Sequence, residues 1–87
     1  MTSAAVTVTN ALGMHARAAA RFVHAAAAFH SQIRLSRGPQ TVDGKSIMGV
    51  LLLAAARGTV LEITADGPDE AEAVAALVQL IESGLGE

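Results

Sequence analysis

The chain has 87 residues, six basic and eight acidic side chains for a formal net charge of -2, no cysteine, and 52% apolar residues. These values exclude a disulfide framework, a thiol nucleophile, a broad nucleic-acid-binding face and intrinsic disorder. They set one small domain, residues 1–87, that buries roughly 60–65% of its unfolded surface. Its core is drawn mostly from Ala, Val, Leu and Ile, with Phe22 and Phe29 as the only aromatics. No positive n-region marks a secretory signal, and Arg17, Arg21 and His24 interrupt the alanine-rich stretch from Ala16 to Ala28. No apolar run reaches the length of a membrane span, so neither membrane insertion nor export is expected and a cytoplasmic location is the default.

Val6 and Val8 alternate with Thr7 and Thr9, the period of a half-buried first strand. A helix is predicted from Ala16 to about Phe29, with Ala19, Phe22, Val23, Ala26 and Phe29 on its apolar face. Arg17, Arg21 and His24 lie toward its edges or outer side. Ile33 and Leu35 alternate with Arg34 and Ser36 in a second strand, and Gly38-Pro39 turns the chain into a short third strand around Thr41 and Val42. Ser46 then stands as an N-cap before a helix of about two turns, Ile47 onward. An all-apolar run can equally be a buried strand; Ser46 in front and Ala54-Ala55-Ala56 behind favour helix.

Val60 to Ala65 reads as a central strand with Leu61 and Ile63 on its buried side. The last helix follows Pro68, with Asp69 as N-cap and Glu72 in the capping-box position. Val74, Leu77, Val78, Ile81 and Leu85 recur at spacings of three and four, and Gly84 offers a stop. Four strands and three helices in this order make an α+β fold, an antiparallel sheet covered on one face by helices.

His15 and Arg17 carry the chemistry. In Asn10-Ala11-Leu12-Gly13-Met14-His15-Ala16-Arg17 they sit where a turn hands over to the first helix. A neutral imidazole is nucleophilic near pH 7, and the backbone amides of a helix start, with a nearby guanidinium, favour a phosphoryl group once it is attached. The interaction with the helix end is worth only about 0.3–1 kcal/mol when exposed. That scale suits a carrier, which must release what it accepts. His24 and His30 share no such setting, and no spacing groups them with His15 as metal ligands.

The segment Asn10 to Arg17 resembles the active-site signature of the histidine-containing phosphocarrier (HPr) family of bacterial phosphoenolpyruvate-dependent phosphotransferase systems. Gly44-Lys45-Ser46-Ile47-Met48-Gly49-Val50 resembles the family's second signature, and the helix start Gly67-Pro68-Asp69-Glu70 matches as well. The resemblance covers essentially the whole chain. It implies an open-faced β-sandwich of order βαββαβα and a phosphoryl group carried on Nδ1 of His15. The donor would be the phosphorylated energy-coupling enzyme and the acceptor an enzyme-two A component. Arg17 corresponds to the arginine that meets the phosphoryl group, and the amides of Ala16 and Arg17 are the expected backbone contacts. Ala18 stands where the family usually has proline, which loosens preorganisation without removing the site.

By the same resemblance Ser46 is the regulatory serine, a substrate for a serine kinase/phosphatase where the organism has one; capping a helix accounts for a serine there equally well. Met14, Ile47, Met48 and Leu51 are candidates for an exposed apolar patch beside His15, framed by Arg17 and Arg21, whereas Leu52 and Leu53 are expected in the core. No metal or cofactor is expected, and the working state is a monomer. A small ligand-binding domain would share the element order but give no reason for pairing His15-Ala16-Arg17 with Ser46. A self-contained hydrolase lacks a triad. The nearer alternative lies within the family, a nitrogen-related branch whose output is regulatory.

Overall fold

The computed structural model describes residues 1–87 and follows the expected order: β1 Thr2–Thr7, α1 Ala16–Ala27, β2 Gln32–Arg37, β3 Gln40–Asp43, α2 Ile47–Leu52, β4 Val60–Asp66 and α3 Glu70–Glu82. The strands form one antiparallel sheet in the spatial order β1-β4-β2-β3, so β4 is central although it is the last strand in sequence. Alternation fixes the register. Val6 lies opposite Leu61, and Leu35 opposite Ile63, which directs these side chains to the helix-covered face. Ala5, Arg34 and Glu62 face the other way, onto the open side.

Between sheet and helices lies one core. Phe22, Ala18, Ala19 and Ala26 of α1 meet Ile33, Leu35, Leu61, Ile63 and Ala65 of the sheet, and Ala73, Val74, Leu77 and Ile81 of α3 complete it. Phe22 is the one aromatic fully buried; Phe29 is only partly so. Truncating Phe22 to alanine would cost about 3–5 kcal/mol, a large fraction of the stability of so small a domain. No helix is long and apolar enough to cross a membrane.

Three local expectations are corrected. The first strand begins earlier, at Thr2, and ends at Thr7; Val8 nevertheless keeps its place, exchanging backbone hydrogen bonds with Gly58 and Thr59. Helix α1 closes at Ala27 rather than near Phe29, because the Ala28 and Phe29 amides turn to the carbonyls of Ala25 and Ala26. Asp69 occupies the N-cap of α3 but makes no side-chain capping bond. Its carboxylate accepts instead from the His30 amide at 2.8 Å, the Ser31 amide at 3.0 Å and the Ser31 hydroxyl, joining the start of β2 to the start of α3. Glu70, not Glu72, reaches back, accepting from the Gly67 amide at 3.3 Å.

Candidate functional site

The loop from Val8 to His15 is held before α1 begins. Asn10 and Gly13 close a turn, the Gly13 amide donating to the Asn10 carbonyl and Asn10 Nδ2 to the Gly13 carbonyl at 2.6 Å. The Met14 amide then donates to the Ala55 carbonyl at 2.8 Å, which ties the loop to the segment after α2. Gly13 has φ +66°, and a Cβ there would lie 2.5 Å from the Ala55 oxygen. Only glycine allows both the conformation and the approach.

This anchored loop delivers His15 as the N-cap of α1. Its backbone is extended, its carbonyl accepts from the Ala19 amide at 2.8 Å, and Nδ1 accepts from the Arg17 amide at 3.3 Å. An amide donating to Nδ1 requires a lone pair there. The other ring nitrogen, Nε2, lies 2.6 Å from Oε1 of Glu87. The ring is half-buried between these two contacts.

Glu87 was not anticipated, because it is 72 positions away in sequence. It arrives through an unusual tail. The Gly84 and Leu85 amides close a Schellman motif on Ile81 and Leu80, and Gly84, Leu85 and Gly86 all have positive φ. For Leu85 the left-handed backbone costs about 1–2 kcal/mol. Complete burial of its side chain, worth about 1.5–3 kcal/mol, offsets that cost. Arg21 fastens the tail to α1, donating to the Leu85 carbonyl at 2.8 Å and pairing with Glu87 Oε2 at 3.3 Å. The hydrogen bond to His15, together with the charges of Arg17 and Arg21, holds the Glu87 carboxyl below its ordinary value of 4.5.

Arg17 is exposed at the second position of α1, and its guanidinium enters no intrachain salt bridge. The Ala16 and Arg17 amides stand at the open end of the helix, where no acidic residue occupies the first turn. Ala18 is fully buried at the third helical position, and its amide has no backbone acceptor. Proline at this position would forfeit no hydrogen bond.

Helix α2 packs beside α1, and Ser46 is its N-cap as expected, Oγ accepting from the Gly49 amide at 3.1 Å. One member of the anticipated patch and one residue expected in the core change places. Met14 is only 4% exposed and belongs to the core, because its anchored amide turns the side chain inward. Leu52, expected inside, is 66% exposed. At 100° per residue Val50 and Leu53 take the inner face of α2, which leaves Met48 and Leu52, four residues apart, on the outer one. Ile47 is exposed and Leu51 is partly buried against the core. Leu12, not singled out from sequence, is 73% exposed at the tip of the Asn10–Gly13 turn. A large apolar residue in so tight a turn was the signal available for it. The large apolar residues exposed on these elements are therefore Leu12 on the loop and Ile47, Met48 and Leu52 on α2.

A family model described as "PTS HPr component phosphorylation site" matches residues 2–83. The chain is 46% identical over 87 residues to the phosphocarrier protein HPr of Neisseria meningitidis, covering 100% of this chain and 98% of that protein. It is 49% identical over 83 residues to that of Pseudomonas aeruginosa, covering 94% and 92%. The crystal structure of HPr-C-His from Thermoanaerobacter tengcongensis superposes with a TM-score of 0.96 at 45% identity, over 100% of this chain and 98% of that one. These likenesses define an HPr-like open-faced β-sandwich. The chain belongs to the HPr family of the phosphotransferase system, and its general role is that of a phosphocarrier among the enzymes of that system.

Proposed function

We propose that His15 is the residue that carries the phosphoryl group, accepting it on Nδ1 from the phosphorylated energy-coupling enzyme and passing it to an enzyme-two A component in the cytoplasm. One observation carries this reading: the Nδ1 lone pair is directed at the Arg17 amide in the first turn of α1, a turn that contains no acidic residue. Attack through that lone pair forms the N–P bond as the donor's bond to phosphorus breaks, and the phosphoryl oxygens arrive beside the Ala16 and Arg17 amides. The Arg17 amide, bonded to Nδ1 in the free protein, then donates to a phosphoryl oxygen instead. The Arg17 side chain, uncommitted to any carboxylate, supplies a charge-assisted contact.

Docking uses Leu12, Ile47, Met48 and Leu52, with Arg17 and Arg21 as the basic frame for acidic partners. Phosphate on Ser46 would add about -1.5 to -2 charge next to this surface and weaken docking, without touching the nucleophile. Incubation with phosphoenolpyruvate and the coupling enzyme should add one acid-labile phosphoryl group by intact mass, and none to His15→Ala. Equal labelling of that variant would refute the assignment. Ser46→Ala should keep full labelling and lose about 1 kcal/mol of stability with its cap. Ser46→Asp should slow labelling several-fold at low salt and less at high salt, as exposed charges are screened. Offering the phosphorylated chain to sugar-specific and nitrogen-related enzyme-two A components identifies the acceptor.

A further inference from the structure

Helix α2 presents Ile47, Met48 and Leu52 to solvent, yet it has only six residues, too few to hold its own shape. Ser46 caps its start, and its other end is held from the sheet. At the end of β2, Nη1 of Arg37 donates to the Leu53 carbonyl at 2.6 Å and to the Ala54 carbonyl at 3.3 Å. The hydrogens of one nitrogen thus meet adjacent carbonyls that a helix end leaves without partners, where positive charge is also favoured. The turn needs this outside hold. Ala54 is left-handed, at φ +48°, a conformation that a Cβ disfavours and that glycine usually supplies after a helix. The same turn reaches the loop of the nucleophile: the carbonyl of the next residue, Ala55, accepts the Met14 amide at 2.8 Å, and Gly13 lies so close to it that no Cβ would fit. Met14 directly precedes His15.

Resting on His15 as the phosphoryl carrier and on α2 as a docking surface, we infer that Arg37 is a positioning residue that holds the His15 loop and the apolar face of α2 in one fixed relation. A partner seated on Met48 and Leu52 meets Nδ1 in line with its own phosphoryl group only if the turn between the two is rigid. Without the guanidinium, the Leu53 and Ala54 carbonyls turn to water, Ala54 relaxes out of the left-handed region, and the Ala55 carbonyl leaves the Met14 amide. His15 stays at the N-cap of α1, because the bond from the Ala19 amide to its carbonyl does not involve that turn. Loss of Arg37 therefore separates docking from chemistry and abolishes neither. Arg37 acts through Ala54 and Ala55, not on the ring.

The test compares the parent chain with Arg37→Met, which keeps an apolar stem but no N–H donor, and with Ser31→Ala, a destabilising change at the opposite end of β2. Three quantities are read: transfer kinetics with the coupling enzyme, hydrogen exchange of the Met14 amide, and labelling of His15 by phosphoramidate, a small donor that needs no docking. Arg37→Met should raise KM with the coupling enzyme about ten-fold at the parent's kcat, the scale of one hydrogen bond from a charged group, and speed Met14 exchange about as much. Phosphoramidate should label it at the parent's rate. Arg37→Lys, which restores charge and donors, should recover part of KM, and Ala54→Gly added to Arg37→Met should recover both KM and exchange by removing the left-handed penalty. Ser31→Ala should lower the melting temperature and leave KM and Met14 exchange unchanged. Parent-like KM or Met14 exchange in Arg37→Met would overturn the inference, as would a Ser31→Ala that reproduces its KM. A fall in phosphoramidate labelling equal to the enzymatic loss would also overturn it, by placing the defect at the ring. Failure of the carrier reading shows separately, as phosphoramidate labelling of His15→Ala equal to that of the parent.

Discussion

Helices α1 and α3 are nearly equal in length, 12 and 13 residues, and they begin in opposite electrostatic states. The first turn of α3 carries Glu70 and Glu72, and Asp69 sits at its cap. Its positive end has three of the chain's own carboxylates around it. Helix α1 has no acidic residue in its first turn and is capped by a ring nitrogen instead of an oxyanion. A helix start built only for stability would look like α3, because a carboxylate there contributes about 0.3–1 kcal/mol. Leaving α1 without one forgoes that contribution and keeps its amides available to an incoming anion.

The comparison breaks most sharply if α1 is made to resemble α3. Ala16→Glu places a carboxylate in the exposed first turn, and it should raise stability by up to about 1 kcal/mol. The same charge should slow phosphorylation of His15 by the coupling enzyme by at least about ten-fold, because it occupies and repels where the phosphoryl oxygens must go. Thermal melts and transfer kinetics on one preparation check both. A variant that is more stable and equally fast would show that the empty first turn has no role in transfer.

A milder change keeps the turn open and removes the side-chain cation. Arg17→Ala should slow transfer by about 10–100-fold, the value of a charge-assisted hydrogen bond of about 1.5–3 kcal/mol, with little change in melting temperature, since Arg17 is exposed and holds no salt bridge. Ala18→Pro should fold, because the Ala18 amide has no acceptor to lose. Its site is fully buried, so the added ring atoms set the size of any penalty. Stopped transfer with an unfolded Arg17→Ala, or collapse of Ala18→Pro, would place these residues in the framework of the fold.

Where the sequence could be read, the determinants were local. The period-2 alternation of Leu61 and Ile63 and the three-and-four spacing of Val74, Leu77, Ile81 and Leu85 each survive as buried faces. Ser46 was legible as a cap, and His15 as a residue at a helix start, because such boundaries depend on the next three residues. Asp69 shows the limit of that reasoning. Its cap position is as expected, but two amides at the start of β2, 38 and 39 positions away, claim its oxygens. Met14 and Leu52 were misplaced for a related reason: the Met14 amide is claimed by the distant Ala55 carbonyl, and which side of the six-residue α2 faces inward is set by the elements it packs against. Glu87 was beyond reach altogether, since its contact with His15 depends on three left-handed residues and a buried Leu85.

The smallest effect separates the two helix starts by acid. At α3, the hydrogen bond from the Ser31 hydroxyl, followed by that from the His30 amide, holds the Asp69 carboxyl below its ordinary 3.8. The fold therefore binds the charged form more favourably than the unfolded chain does. That stabilisation is whole above 3.8 and is lost as pH falls through the depressed folded-state value. Removing the hydroxyl with Ser31→Ala should cost about 1 kcal/mol at neutral pH, and the difference from the parent should shrink as acid neutralises Asp69. At α1 no first-turn carboxylate exists to titrate, and Glu87, also depressed from 4.5, acts on the ring from outside the helix. Melting temperatures of the parent, Ser31→Ala and Glu87→Gln between neutral pH and the acid limb distinguish the two. A Ser31→Ala deficit that persists unchanged below the Asp69 transition would mean that the hydroxyl stabilises the fold independently of the Asp69 charge, and that the link between β2 and α3 rests on the His30 and Ser31 amides.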